Sequence, residues 1–254
     1  MDLLPPPTPQ QRLVERQRPS GPVVMYQRWE QLLFLHWQWE PAAVQDALPP
    51  GLHVDARDGV AWLGLVPLFM RDVRPRFAPS VPAISHFLEL NVRTYVYDAL
   101  GRPGVYFFSL DCDQPVAVEA ARTFFHLRYE HAAMTANIDA EGWVSFDAQR
   151  SGHPEQNHFR YRGFGPAGEA FPESLEFFLV ERYRLFATDR DGEQLSSVRI
   201  CHAPYLIRQA QVTDWSDGML RLAGFDPKGR APDHICYSEG VEIEAFAPER
   251  VEAG

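Results

Sequence analysis

The sequence predicts an α+β fold that is mostly antiparallel β, and three observations carry that expectation. Residues 86–98 alternate between two side-chain sets without a break, which is the period-two signature of a strand with distinct faces. Turn signals at Asp58-Gly59, at 101–104 and at 189–192 separate apolar runs, as hairpins require. The 254 residues are 45% apolar and 13% aromatic, and no repeat or low-complexity linker divides them, so one domain over 23–254 is expected.

Residues 1–22, rich in Pro, Gln and Arg and without an apolar core, are expected to form a flexible leader rather than a signal peptide or an anchor. A dense apolar and aromatic run at 32–39 reads as a strand. Glu40-Pro41 then opens a short helix that stops at Pro49-Pro50-Gly51. The turn at Asp58-Gly59 leads into 60–66, a near-continuous apolar run suited to a strand covered on both sides. The Pro-laced stretch 74–82 reads as a loop.

In 86–98, Leu88, Leu90, Val92, Thr94 and Val96 share one face, and Glu89, Asn91, Arg93, Tyr95 and Tyr97 the other. The Gly-Pro-Gly turn at 101–104 pairs this strand with 105–110. Spacing switches to helical at 115–127, where Val118, Ala121, Arg122 and Phe125 recur at threes and fours behind Pro115. Strands are expected at 143–148 and 158–163, a short helix at 174–181, a hairpin over 183–202 and a last strand at 240–246.

A formal net charge of −10 argues against a nucleic-acid surface, which depends on clustered Lys and Arg. Arg160 and Arg162 alternate with Phe159 and Tyr161 and read as the outer face of a strand. The longest apolar run, 60–70, is far short of the ~20 residues of a membrane span, so no membrane partner is expected. Cys112, Cys201 and Cys236 are the only cysteines, and an odd number without C-x-x-C spacing fits a reducing, cytoplasmic compartment. Assembly into a homo-oligomer rests only on the general frequency of symmetric oligomers.

Nucleophile-elbow, Walker, H-E-x-x-H and dinucleotide signatures are all missing, and no cofactor is expected. Among nine histidines the best local metal set is His126, Glu130 and His131, the first two at four-residue helical spacing. Hydrogen-bonded structural histidines explain such scatter better, so no metal is expected. Asp189 to Glu193 lacks the rest of a calcium loop and reads as a turn.

Several segments together resemble a known family: His36-Trp37, Leu48-Pro49-Pro50-Gly51-Leu52, Phe87-x-Glu89-Leu90-Asn91-Val92-Arg93-Thr94-Tyr95-Val96 and Gly104-Val105-Tyr106-Phe107-Phe108-Ser109-Leu110-Asp111. The likeness continues through Ala121-Arg122, Tyr129-x-x-Ala132, Glu181-Arg182-Tyr183 and His202-x-Pro204-Tyr205. The chain resembles the YqjF-like family (domain of unknown function 2071), which is in turn similar to acetoacetate decarboxylase. That resemblance implies a closed, cone-like β-barrel with flanking helices around a cavity. It also implies attack on a keto acid by a lysine whose pKa an adjacent lysine and an apolar pocket depress.

The residues oppose that chemistry. Lys228, the only lysine, lies in the turn-like Asp226-Pro227-Lys228-Gly229, and the family's lysine pair falls on Tyr129 and Glu130 when its arginine is laid on Arg122. Gln38 stands where the decarboxylase would hold the substrate carboxylate with an arginine. If the polar face of 86–98 points inward, Glu89 is a general base, Arg93 an anion clamp and Tyr129 a proton donor or relay. If it points outward, the same alternation describes a sheet with one wet face.

His36, flanked by Phe34, Trp37 and Trp39, reads as core or as a buried proton carrier, and Arg122 as a partner for Glu89 or Asp111. The candidate site is thus Glu89 and Tyr129 as catalytic groups, with His36, Gln38, Asn91, Arg93 and Arg122 holding a small-molecule substrate. The expected function is acid/base chemistry, without a lysine adduct, on a small organic acid or carbonyl compound. The alternative is a non-catalytic binding protein using the same cavity.

Overall fold

The computed structural model describes residues 5–116, 118–119, 129–189 and 194–251. In chain order come α1 (Pro9–Glu15), β1 (Val23–Trp39), α2 (Pro41–Asp46), β2 (Leu52–Val54), β3 (Ala61–Pro75), β4 (Phe87–Asp98) and β5 (Pro103–Cys112). They are followed by β6 (Tyr129–Ile138), β7 (Val144–Arg150), β8 (Asn157–Gly168), α3 (Leu175–Val180), β9 (Arg184–Thr188) and β10 (Leu195–Cys201). The chain continues with β11 (Ile207–Asp214), α4 (Gly218–Leu222), β12 (His234–Phe246) and β13 (Glu249–Arg250).

Among the described residues these thirteen strands form one sheet, ordered β13-β10-β9-β5-β6-β7-β8-β11-β12-β1-β3-β4-β2, with further β4–β5 and β10–β12 pairings. The β5–β6 and β5–β9 ladders are parallel, and the large ladders that frame the interior, β1–β3, β1–β12, β3–β4 and β4–β5, are antiparallel. No described helix is long and apolar enough to cross a membrane.

The β4–β5 hairpin matches the sequence reading, with Tyr97 opposite Pro103 and Glu89 opposite Cys112. Both faces of β4 are buried: Leu88, Leu90 and Val92 join one apolar cluster, Phe87 and Tyr95 another. The reading of a wet outer face is therefore overturned. Asp58 and Gly59 both adopt positive φ and close a tight turn between Arg57 and Val60.

Two strands run longer than their apolar patterns, because single left-handed residues reset the alternation. In β1, Met25, Gln27 and Trp29 face the interior; Gln31 has φ 55°, and Leu32 takes up the same face one position out of step. The β1–β3 register shifts across this point, and the hydroxyls of Tyr161 and Tyr237 fasten Gln31 by donating to its carbonyl O (2.7 Å) and its Oε1 (2.6 Å). In β3, Val66, Leu68 and Met70 face inward, Asp72 has φ 51°, and Val73 resumes the inward face. A third register shift skips Phe108 in β5, so that Val105, Phe107 and Leu110 all face inward. Bulges of this kind bend a strand and sharpen its twist, wrapping the sheet around what it encloses.

The expectation of a flexible leader over 1–22 is corrected for its middle. Thr8 caps α1 with a reciprocal Gln11 contact, Pro9 opens the first turn, and Arg12 is buried against Asp55. A leader read by its composition hides this, because the docking contact is made by a buried arginine and not by an apolar stripe. The helix expected at 115–127 falls largely on residues 117 and 120–128, outside the described residues, and so do Arg122 and His126. Glu130 and His131 begin a strand, not a helix, so the helical spacing considered for a metal does not hold there.

Candidate functional site

A cavity of about 130 Å³ is lined by residues of β1, β3, β4, β5, β6, β9, β10 and β12 together with Val180, Arg182 and Tyr205. Its wall is mostly aliphatic and aromatic; β4 supplies Glu89, Asn91 and Arg93 from alternate positions, and Gln27 of β1 and Arg182 are further polar lining residues. Tyr129, the first residue of β6, reaches the same space.

Glu89 is the one carboxylate among the described lining residues. Tyr129 donates its hydroxyl to Oε2 at 2.6 Å, and Asn91 donates Nδ2 to Oε1 at 3.2 Å. Burial raises the Glu89 pKa to about 6 against the pull of those two hydrogen bonds, with Asp111 adding to the rise and Arg93 opposing it. Burial, then the neighbouring Glu89 charge, lifts Tyr129 well above the ordinary phenol range, so its proton stays on oxygen. A carboxyl that titrates near neutrality beside a phenol that does not is suited to moving a proton.

Two guanidinium side chains line the same cavity. Arg93 donates Nη2 to the Leu179 carbonyl at 3.2 Å and stacks its charge near the Phe34 and Tyr95 rings, but its Nε has no hydrogen-bond partner. Arg182 donates Nε to the Phe178 carbonyl (2.7 Å) and Nη1 to Asp55 (3.0 Å), leaving Nη2 buried and unpartnered. Asn91 Oδ1 is likewise buried without a donor. Buried polar atoms without partners are rare in folded proteins, and all three of these lie out of reach of a water-sized probe.

Of the expected site residues, the structure brings Glu89, Asn91, Arg93 and Tyr129 together. His36 is fully buried but stands behind Arg93 instead of lining the cavity. A Cβ at Gly64 would meet Arg93 Cγ at 3.1 Å and His36 Cδ2 at 3.4 Å, so glycine is what lets these side chains lie side by side. The His36 Nδ1 lies 3.0 Å from His234 Nδ1, so one ring donates to the other; burial, then His234 and Arg93, hold His36 well below the usual imidazole range. Gln38 does not reach the cavity: it is exposed near the end of β1, where its backbone meets Asp233 and Arg230. Arg122 lies outside the described residues, and Asp111 is instead gripped by Arg150 at 2.7 Å.

Sequence reasoning gave Arg182 no role, although it occurs in the quoted Glu181-Arg182-Tyr183 segment. The neighbours of that segment explain its position. Glu181 accepts the Tyr183 hydroxyl and the Tyr205 backbone N–H (2.8 Å), while His202 stacks on Tyr183 at 4.5 Å. This cluster fixes the chain just beyond α3 and turns Arg182 inward. Lys228, by contrast, is exposed in a turn with φ 55° and does not line the cavity.

The fold is that of the acetoacetate decarboxylase-like proteins. Similar solved structures include the enduracididine biosynthesis enzyme MppR complexed with pyruvate, with a TM-score of 0.60 at 15% identity over 92% of each chain. An acetoacetate decarboxylase-like enzyme from Sphingomonas wittichii gives 0.61 at 14% identity, over 91% of this chain and 94% of that one. The acetoacetate decarboxylase of Legionella pneumophila gives 0.58 at 14%, over 93% and 91%.

Within that fold, the chain belongs to the DUF2071 family, described as an uncharacterized conserved protein, which it matches over residues 26–242. It is 38% identical over 195 residues to the uncharacterized protein YqjF of Bacillus subtilis, covering 76% of this chain and 78% of that protein.

Proposed function

We propose that the cavity binds a small organic acid and that Glu89, assisted by Tyr129, performs acid/base chemistry at the carbon next to its carbonyl, without a lysine adduct. The observation that carries this reading is the Glu89–Tyr129 pair, buried in a mostly apolar chamber that Arg93 and Arg182 also line. At about 130 Å³ the chamber is close to an apolar cavity of ~150 Å³ that takes benzene, so it suits a ligand of about six non-hydrogen atoms. Pyruvate, bound by MppR, is a probe of that size.

In the proposed step, ionised Glu89 takes a proton from the carbon next to the carbonyl. The C–H electron pair forms the new C=C bond and the carbonyl π pair moves onto oxygen as an enolate. Return of the proton from Glu89 to that carbon restores the keto form. Arg93 and Arg182 neutralise the ligand's carboxylate and the enolate, and Tyr129 orients the base by holding Oε2. A Schiff base is disfavoured because Lys228, the only lysine, is exposed.

The β4–β5 and β10–β12 pairings support a closed, cone-like barrel as the container. Free Cys112, Cys201 and Cys236 favour a reducing, cytoplasmic setting.

The test is pyruvate in deuterated buffer, followed by NMR. Wild-type protein is expected to exchange the methyl protons and Glu89→Gln to abolish the exchange while still binding pyruvate. Binding without exchange in the wild type would leave a binding protein, and absence of binding would end the reading altogether.

A further inference from the structure

The segment His202-x-Pro204-Tyr205 has no part in the chemistry above, yet its tyrosine lines the cavity. The body of Tyr205 is held on three sides. Its backbone N–H donates to Glu181 Oε1 at 2.8 Å, and its ring stands edge-on to Phe34 at 5.7 Å and tilted against His202 at 4.8 Å.

The hydroxyl is left over. Tyr129, Tyr161, Tyr183 and Tyr237 donate theirs to Glu89, Gln31 and Glu181, and the Tyr95 hydroxyl is out of reach of a water-sized probe. Tyr205 Oη makes no hydrogen bond to a described residue and is not one of the sealed polar atoms. A buried phenol ordinarily finds a partner, and the space from which this one can draw it is the cavity it lines. Burial raises the Tyr205 pKa above the ordinary phenol range, against the pull of Arg93, so the oxygen keeps its proton and is a donor.

The neighbour at this end of the chamber is Arg93, whose guanidinium lies 5.3 Å from the centroid of the same Phe34 ring. Its Nη2 is spent on the Leu179 carbonyl and its Nε is sealed, whereas Nη1 is neither. Glu89 and Arg93 stand four residues apart on β4, ~13 Å along the strand, so the Arg93–Tyr205 end is distinct from the Glu89–Tyr129 end.

We propose that Tyr205 is a ligand-binding residue that selects for acids: its hydroxyl and Arg93 Nη1 hold the ligand's carboxylate between them, with the carbon next to the carbonyl turned toward Glu89. This rests on the reading of the chamber as an organic-acid site. It divides the chamber into an end that holds the acid and an end that moves the proton, and gives the His202-x-Pro204-Tyr205 segment the task of aiming one donor.

The experiment compares wild type with Tyr205→Phe, which keeps the ring contacts and removes one oxygen. Pyruvate and its neutral analogue pyruvamide are titrated by calorimetry or NMR, and methyl-proton exchange is measured at saturating pyruvate. Wild type is expected to prefer pyruvate. The variant is expected to lose about tenfold or more of pyruvate affinity, the worth of a hydrogen bond to a charged group, and less of pyruvamide affinity. Exchange at saturation is expected to stay level, because the lost contact is with a group that does not react. A crystal structure of wild type with pyruvate is expected to place Tyr205 Oη within hydrogen-bond distance of a carboxylate oxygen.

Unchanged pyruvate affinity in the folded variant overturns the inference while leaving the organic-acid reading intact, and so do equal losses for both probes. Loss confined to the exchange rate at saturation also overturns it, since the hydroxyl would then serve the enolate. If the variant does not fold, the wild-type crystal structure decides: a carboxylate out of reach of Tyr205 ends the inference. A wild type that binds no pyruvate removes the organic-acid reading and this inference with it.

Discussion

Replacing Glu89 by Gln should change how stability responds to pH, by an amount the geometry allows one to work out. The Glu89 pKa is raised by burial from 4.5 to about 6, so the folded protein resists ionising this group where the unfolded chain does not. The sign follows: the contribution is fully favourable below the unfolded value and is lost as pH rises through the folded one. A shift of about 1.5 units corresponds to about 2 kcal/mol at full ionisation, of which about 1.2 kcal/mol falls between pH 5 and pH 8. At 2–4 °C per kcal/mol for a chain of this size, that is ~2–5 °C of Tm.

Glutamine preserves the packing. Asn91, whose Oδ1 is unpartnered, can rotate its amide and accept an N–H from the new side chain, while Tyr129 still donates to the remaining oxygen. Other buried groups titrate in the same range, so the quantity to measure is the difference between variant and wild type, by urea unfolding at several pH values. The variant should gain on the wild type as pH rises. A difference that stays flat from pH 5 to pH 8, or that runs the other way, would refute the claim that Glu89 is a buried, ionisable carboxyl.

Two further outcomes follow from the same site. Tyr129→Phe removes the shorter of the two hydrogen bonds to Glu89 and should destabilise by about 1–3 kcal/mol at pH 8 but less at pH 5, where Glu89 is mostly protonated; equal losses at both in urea melts would count against it. Borohydride added with pyruvate should leave no mass-shifted peptide, and an adduct at Lys228 would return the Schiff-base chemistry this cavity is argued to lack.

How far the sequence could be read depended on whether alternation survived. In β4 it did, and Glu89, Asn91 and Arg93 could be placed on one face before any coordinates. In β1 and β3, Gln31 and Asp72 reset the period, so Met25, Gln27, Trp29 and Val73 could not be recognised as cavity wall. β6 was missed because its buried positions are small or flexible, Ala132 and Met134, and leave little apolar pattern. Tyr129 was reachable only through family resemblance. Gln38 shares the parity of His36 but lies where β1 leaves the interior, and parity does not report depth. Arg182 follows a helix end, where neither period applies; its direction is set by Glu181, whose contact with Tyr183 is local but whose contact with the Tyr205 backbone is long-range.

The charges around the chamber decide what it can admit. Arg12 and Arg182 share the buried Asp55, and no carboxylate among the described residues lies within salt-bridge distance of Arg93. Buried charge left uncompensated is costly, so under the proposed function a monoanion would meet the Arg93 charge that no carboxylate pairs. The same monoanion, once bound, repels the Glu89 carboxylate and favours its protonated form. Binding therefore pulls Glu89 toward the acid that cannot abstract a proton, and only the Tyr129 and Asn91 hydrogen bonds and Arg93 pull it back toward the base. Under the proposed function the Tyr129 phenol eases that conflict, since its hydrogen bond to Oε2 stabilises the carboxylate.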